Sequence, residues 1–189
     1  MRFFRHLTGL IVIGAALATP TLGANAPVET RVIEESDGSR TLVHEALIEA
    51  GVAAVWATLS TEEGWKAWGP RFARFDLRHG GSIETGYHDG ATAGDPRNIR
   101  HRIIALVPER LIAIRVEYAP PDGPVDPALF TDMWGVYELE PLADGRTRLR
   151  ITGIGYGTDE AATKLLAFFK AGNVYSIDLL RRNLAAEAD

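Results

Sequence analysis

From Val28 onward the chain alternates runs of two-residue hydrophobic period with runs of helical period, in the order two strands, two short helices, six strands, one long helix. Val28 to Ser36 and Arg40 to Ala50 are strand-like and flank Asp37-Gly38-Ser39, a turn signal that predicts a hairpin. In the second run Leu42, His44, Ala46, Ile48 and Ala50 share one face, with Val43, Glu45, Leu47 and Glu49 on the other. Gly51 to Gly69 then carries three of the four tryptophans. There Val52, Val55, Trp56 and Leu59 fall on one helical face, and Ser60 followed by Glu63 reads as a capping box for a second short helix that bears Trp65 and Trp68 one turn apart. Two such helices cannot fold alone; they need an apolar sheet to lie on.

Phe72 to Arg78 and Ser82 to His88 predict a hairpin through His79-Gly80-Gly81, and His88 to Asn98 reads as a polar, solvated, mobile loop. Ile99 to Leu106 and Leu111 to Tyr118 flank the turn Val107-Pro108-Glu109-Arg110. Ala119 to Pro127 holds four of the ten prolines and is an irregular connection. Trp134 to Glu140 and Arg146 to Ile154 pair around Ala143-Asp144-Gly145, and the second alternates Leu149 and Ile151 against Arg148, Arg150 and Thr152, the pattern of a strand with one wet side. Asp159 to Ala185 is the longest helical pattern. One stripe runs Leu165, Phe168, Gly172, Tyr175, Leu179, and a neighbouring one runs Leu166, Phe169, Ile177, Leu180, Leu184. Gly172-Asn173 interrupts it, as a bend, a close approach over a cavity, or a tolerated defect.

The first 24 residues read as a signal peptide: Arg2 and Arg5 precede an apolar core from Leu7 to Ala18 that is about half a bilayer span in length. Small-residue cleavage sites follow Ala18 and Ala24, and the polar spacer favours Ala24, so a periplasmic or secreted chain of residues 25–189 is expected, in one domain and without a stable membrane span. Cleavage there would remove two arginines and no acids, leaving 18 Lys+Arg against 25 Asp+Glu and a net charge of −7. With no basic tract, a nucleic-acid partner is not expected. Cysteine is absent, so the core alone must stabilise an exported chain.

The element order, with Ile48-Glu49-Ala50 leading into Val55-Trp56, then Trp65 to Trp68, Asp76-Leu77-Arg78-His79-Gly80-Gly81, Pro108-Glu109-Arg110-Leu111, Glu138-Leu139-Glu140-Pro141 and Gly145-Arg146-Thr147-Arg148-Leu149, resembles the helix-grip superfamily. This is the START-like or SRPBCC group, and within it the chain is similar to the AHSA-type family, named after activators of a chaperone ATPase. The resemblance spans roughly Thr41 to Leu184. It implies an α+β helix-grip fold: a curved antiparallel sheet of about six to seven strands, two short helices, and a long C-terminal helix packed across the sheet over an apolar cavity. A small hydrophobic or amphipathic ligand is then the expected partner, with a protein partner as an alternative.

Candidate cavity residues are Trp65, Trp68, Tyr87, Tyr137, Phe168 and Tyr175, the last three expected to point inward or to line the space beneath the long helix, with His44 and His101 as inward polar groups able to titrate near neutral pH. Arg115 has two readings: strand alternation places it outside, whereas the family resemblance places it inside, where it would select an anion. No nucleophile elbow, phosphate loop or zinc-helix motif occurs, the histidines lack ligand spacing, and the Asp89, Asp95 loop has too few oxygens in register for calcium. No catalytic set, metal or cofactor is therefore expected. An enzyme of cyclase, dehydratase or hydrolase type would need an inward histidine paired with a carboxylate, and a chaperone accessory factor would need an exposed apolar patch.

Overall fold

The computed structural model describes residues 26–188, so the expected signal peptide and its cleavage site lie outside the described residues. Eight strands form one antiparallel sheet: β1 (Glu29–Glu34), β2 (Arg40–Ile48), β3 (Phe72–Phe75), β4 (Ser82–Gly86), β5 (Ile99–Val107), β6 (Leu111–Tyr118), β7 (Trp134–Pro141) and β8 (Thr147–Tyr156). Their spatial order is β1-β2-β8-β7-β6-β5-β4-β3. Helices α1 (Val52–Ser60) and α2 (Glu62–Lys66) fill the connection from β2 to β3, and α3 (Glu160–Ala188) ends the chain. The count exceeds the expected six to seven strands because β1 and the short β3 both join the same sheet, one at each edge.

Register fixes which side chains face α3. His44 of β2 lies opposite Ile151, which lies opposite Tyr137, which lies opposite Ile112. Leu42, Ala46, Leu149, Leu139 and Ile114 share that inner face and are buried. The outer face carries ion pairs beside buried Val43 and Leu47: Glu45 joins Arg150 at 2.5 Å and Arg31 at 3.5 Å, and Arg148 pairs with Glu140. Those pairs, each with one exposed member, stabilise little, about 0–1 kcal/mol each, so stability rests mainly on the inner face.

α2 begins one residue later than the expected capping box. Ser60 belongs to α1, where its hydroxyl donates back to the Trp56 carbonyl at 2.7 Å, and Thr61 is the cap, accepting from the Gly64 amide at 3.0 Å. Glycine at position 64 is required by packing, since a Cβ there would lie 2.4 Å from the Ala57 carbonyl oxygen. At Gly155 the φ of +88° and the close passage of the Asp132 carbonyl impose glycine in β8. That approach tucks the segment after the 3-10 turn Pro127–Phe130 against the sheet.

The loop 88–98, expected to be solvated and mobile, is instead tied down. Asn98 is fully buried and donates through Nδ2 to Glu84 and to the Thr92 carbonyl, both at 2.8 Å, while Glu84 also accepts from the Gly94 amide. Asp95 bonds Arg97 at 2.8 Å, and the charge-assisted pair holds the carboxyl down at about 2.

Candidate functional site

The inner apolar core is divided. One cluster joins α1, α2 and the C-terminal half of α3: Val55, Leu59, Trp65, Trp68, Ile177, Leu180 and Leu184 with Ala46, Ile114 and Ile151 of the sheet. The other joins the N-terminal half of α3 to the 3-10 turn: Leu165 and Leu166 with Leu42, Phe130, Met133 and Tyr156. The break passes between neighbouring inward positions of single strands, at His44 between Leu42 and Ala46, and between Ile114 and Val116. On α3 it passes between Phe169 and Ile177.

The helical period explains the break on α3. Leu166, Asn173 and Leu180 lie on one stripe; the two leucines are buried and Asn173 is half-buried. Ser176, on the same side, is also half-buried, and a Cβ at Gly172 would meet nothing within 4 Å. The middle of α3 thus presents the polar Asn173 and Ser176 toward the sheet while its ends are anchored by leucine. α3 is helical throughout Glu160–Ala188, so Gly172 marks open space and not a close approach. Asn173 and Ser176 were missed in the sequence pattern, though the polar residue at 173, interrupting the stripe between Leu166 and Leu180, was their signal.

In the first cluster, Trp65 and Trp68 pack edge to face with ring centroids 5.2 Å apart and 77° between planes, and both meet the Tyr137 ring, at 5.8 and 5.9 Å. Both indoles are buried, yet Trp68 Nε1 has no hydrogen-bond partner. Tyr137 faces inward and is half-buried; burial, reinforced by the nearby Tyr87 hydroxyl, raises its phenol above the ordinary value, so it remains a donor. Tyr87 follows the inward parity of Ile83 and Thr85 beyond the end of β4 and is 59% exposed.

His44 has no exposed surface. Its Nδ1 meets the Thr30 hydroxyl of β1 at 2.9 Å, and Nε2 is buried without a partner. His101 also faces inward, paired with Ile83 and Val116, and its Nδ1 is buried and unpaired. The two are four strands apart, about 19 Å along the sheet. Neither titrates near neutrality as expected: burial, with the Lys170 charge adding to it at His44, pushes each down to about 4. Both are neutral imidazoles at pH 7. No carboxylate pairs with either among the described residues, where the one histidine–acid contact is His88 with Asp95.

Three expected cavity residues lie elsewhere. Arg115 is exposed on the outer face, because Ile112 and Ile114 take the inner positions of β6. It lines an outer depression of about 480 Å³ with Trp134, Met133 and Asp132, and a second outer depression of about 380 Å³ lies over Arg110, Glu138 and Arg148. Phe168 and Tyr175 are 59% and 64% exposed. Two apolar stripes compete for the sheet, and α3 docks on Leu166, Phe169, Ile177, Leu180 and Leu184; this turns Phe168 and Tyr175 outward on the flank shared with Asn183, whose side chain bonds the Ala67 carbonyl of the α2 end. Among the described residues no group of three or more acids and histidines could hold a metal ion.

A curved antiparallel sheet closed by two short helices and one long C-terminal helix defines a helix-grip, SRPBCC-type protein. A family model described as polyketide cyclase / dehydrase and lipid transport matches residues 39–183, and the chain belongs to that family. Solved structures share the fold: protein MLL2253 from Mesorhizobium loti (18% identity, TM-score 0.62, covering 78% of this chain and 98% of that one), protein Ms6760 from Mycobacterium smegmatis (23%, 0.59, 85% and 99%) and the Aha1 dimer from Colwellia psychrerythraea (16%, 0.55, 75% and 96%). The expected AHSA-type membership is compatible with these likenesses, and the family shown is the broader one. A search of curated proteins found no match.

Proposed function

We propose that this is an exported protein that holds a small hydrophobic or amphipathic ligand between the sheet and α3, in the gap that separates the two core clusters. The observation that carries the reading is the break itself: the apolar core divides at the middle of α3, where Asn173 and Ser176 are half-buried and His44 Nε2 is buried without a partner. A fold that needed only stability would fill this region with aliphatic side chains. The family's description includes lipid transport, which agrees with an apolar cargo. Export is supported by the basic and apolar pattern of residues 2–24.

The test is native mass spectrometry of the chain purified after export from its own cells, with N-terminal sequencing of the same sample. We expect a mature chain beginning at Asn25 with a small molecule released on denaturation in organic solvent. A ligand-free chain that also fails to take up N-phenyl-1-naphthylamine would overturn the binding reading, and an uncleaved N-terminus would overturn export.

A further inference from the structure

The two edges of the sheet are finished differently. At β3 the helix α2 lies against the strand, and Glu62 of α2 accepts from the Phe75 amide at 3.2 Å. β1 pairs only with β2, and among the described residues no hydrogen bond outside that ladder reaches the β1 backbone. Proline, a bulge or an inward lysine ordinarily blunts such an edge. Residues 29–34 contain none of these, and Val32 and Ile33 are 40% and 43% exposed on opposite faces of the strand. The charges of Glu29, Arg31 and Glu34 remain, and they decide which strand can pair.

A second copy can add antiparallel to β1 across a two-fold axis normal to the sheet. Opposed residues must then share a face, so the axis passes through a single residue of the strand. Through Glu29, Arg31 or Glu34 it would oppose like charges directly. Through Val32 or Ile33 it would set Glu29 against Glu35 of the partner subunit or the partner's Asp37. Through Thr30 no like charges meet. Glu29 lies opposite the partner's Arg31 and Arg31 opposite the partner's Glu29, while Val32 meets the partner's Val28 and Ile33 meets the partner's Pro27. The register that pairs the charges therefore also covers both exposed apolar side chains. Arg31, which lies 3.5 Å from Glu45 of β2, then stands between two carboxylates.

We propose that β1 is a homodimer interface, in which two copies join edge to edge about Thr30 and continue the sheet from one subunit into the other. Both long helices then lie on the same side of the joined sheet. The strand contact is short, which places the dimer among weak, reversible assemblies. It stands independently of the ligand reading.

Sedimentation equilibrium of the chain purified from its own cells, from about 5 μM to about 500 μM, tests this. We expect a reversible monomer–dimer equilibrium. Glu29→Arg and Arg31→Glu, both at exposed positions, should each weaken dimerisation at least tenfold, and the double exchange should restore it to within threefold. The chain has no cysteine, so Thr30→Cys should give a disulfide-linked dimer on mild oxidation. Val32→Cys should not, because the two copies of that position lie about 13 Å apart along the joined strands, beyond disulfide reach. A chain that stays monomeric over the whole range overturns the inference. So does a dimer that the single reversals leave intact, that the double exchange fails to restore, or that Val32→Cys crosslinks as readily as Thr30→Cys.

Discussion

Replacing His44 by asparagine should flatten the acid limb of the stability curve. The folded chain holds the His44 imidazole neutral down to about 4, whereas an exposed histidine takes up its proton at its ordinary value of 6.5. Between those two values the unfolded state binds more protons than the folded state, so stability falls as pH falls. At 1.36 kcal/mol per tenfold, the full difference is about 3 kcal/mol, and about 2 kcal/mol of it develops between pH 7 and pH 5. With a urea slope of about 2 kcal/mol per molar for a domain of this size, the wild-type midpoint should drop by about 1 M over that interval from His44 alone, with His101, pushed down to the same value, adding a comparable share. Asparagine keeps a hydrogen-bonding atom for Thr30 but does not titrate. Urea midpoints of wild type and His44→Asn at pH 5, 6, 7 and 8 measure the slope separately from the variant's lower baseline. Lys170→Ala gives an internal check, because removing that charge should move the wild-type limb to slightly lower stability loss. An identical pH 7 to 5 slope in wild type and His44→Asn would refute the buried, neutral assignment.

The other expectations concern glycines, a cap and a loop. Gly172→Ala should raise stability by about 0.5–1 kcal/mol in urea unfolding, since the added methyl meets open space and alanine favours helix; destabilisation would mean that the middle of α3 is closed. Gly64→Ala should do the reverse, costing more than about 1 kcal/mol and reddening tryptophan emission, because its methyl collides with the Ala57 carbonyl and displaces the Trp65 helix. Thr61→Ala should cost about 1 kcal/mol and Ser60→Ala little, reversing the order that the sequence spacing suggests. Asn98→Ala should open loop 88–98 to protease at sites between Asp89 and Arg97 while the global urea midpoint moves far less than the local cleavage rate; unchanged cleavage would contradict the anchoring seen at Glu84 and Thr92.

The succession of strands, the hairpins and the long helix were legible because period-two and period-3.6 patterns report burial directly, and the inward placement of His44, His101 and Tyr137 followed from the same parity. What local pattern cannot decide is competition. α3 carries two adjacent apolar stripes, and only the shape of the sheet selects Leu166, Phe169 and Ile177 over Phe168 and Tyr175. The cap at Thr61 displaced the Ser60 pattern because Ser60 was already committed to the end of α1. Asn98 was hidden within a polar loop, since its partners, Glu84 and Thr92, are joined to it by folding rather than by sequence motif. At Arg115, alternation of Ile112 and Ile114 outweighed the family resemblance, as it should when burying an unpaired guanidinium is the alternative.

The family's enzymatic description raises the question of whether an inward histidine here could move protons. Two conditions are needed: a pKa near the working pH and a partner that orients the ring. His44 and His101 meet neither, being held at about 4 by burial and having no carboxylate partner among the described residues. A ring that stays neutral from pH 5 upward can still hydrogen-bond a cargo without exchanging protons with it. The same burial that holds these rings neutral therefore suits them to hydrogen-bonding an uncharged polar group, each offering one donor and one acceptor.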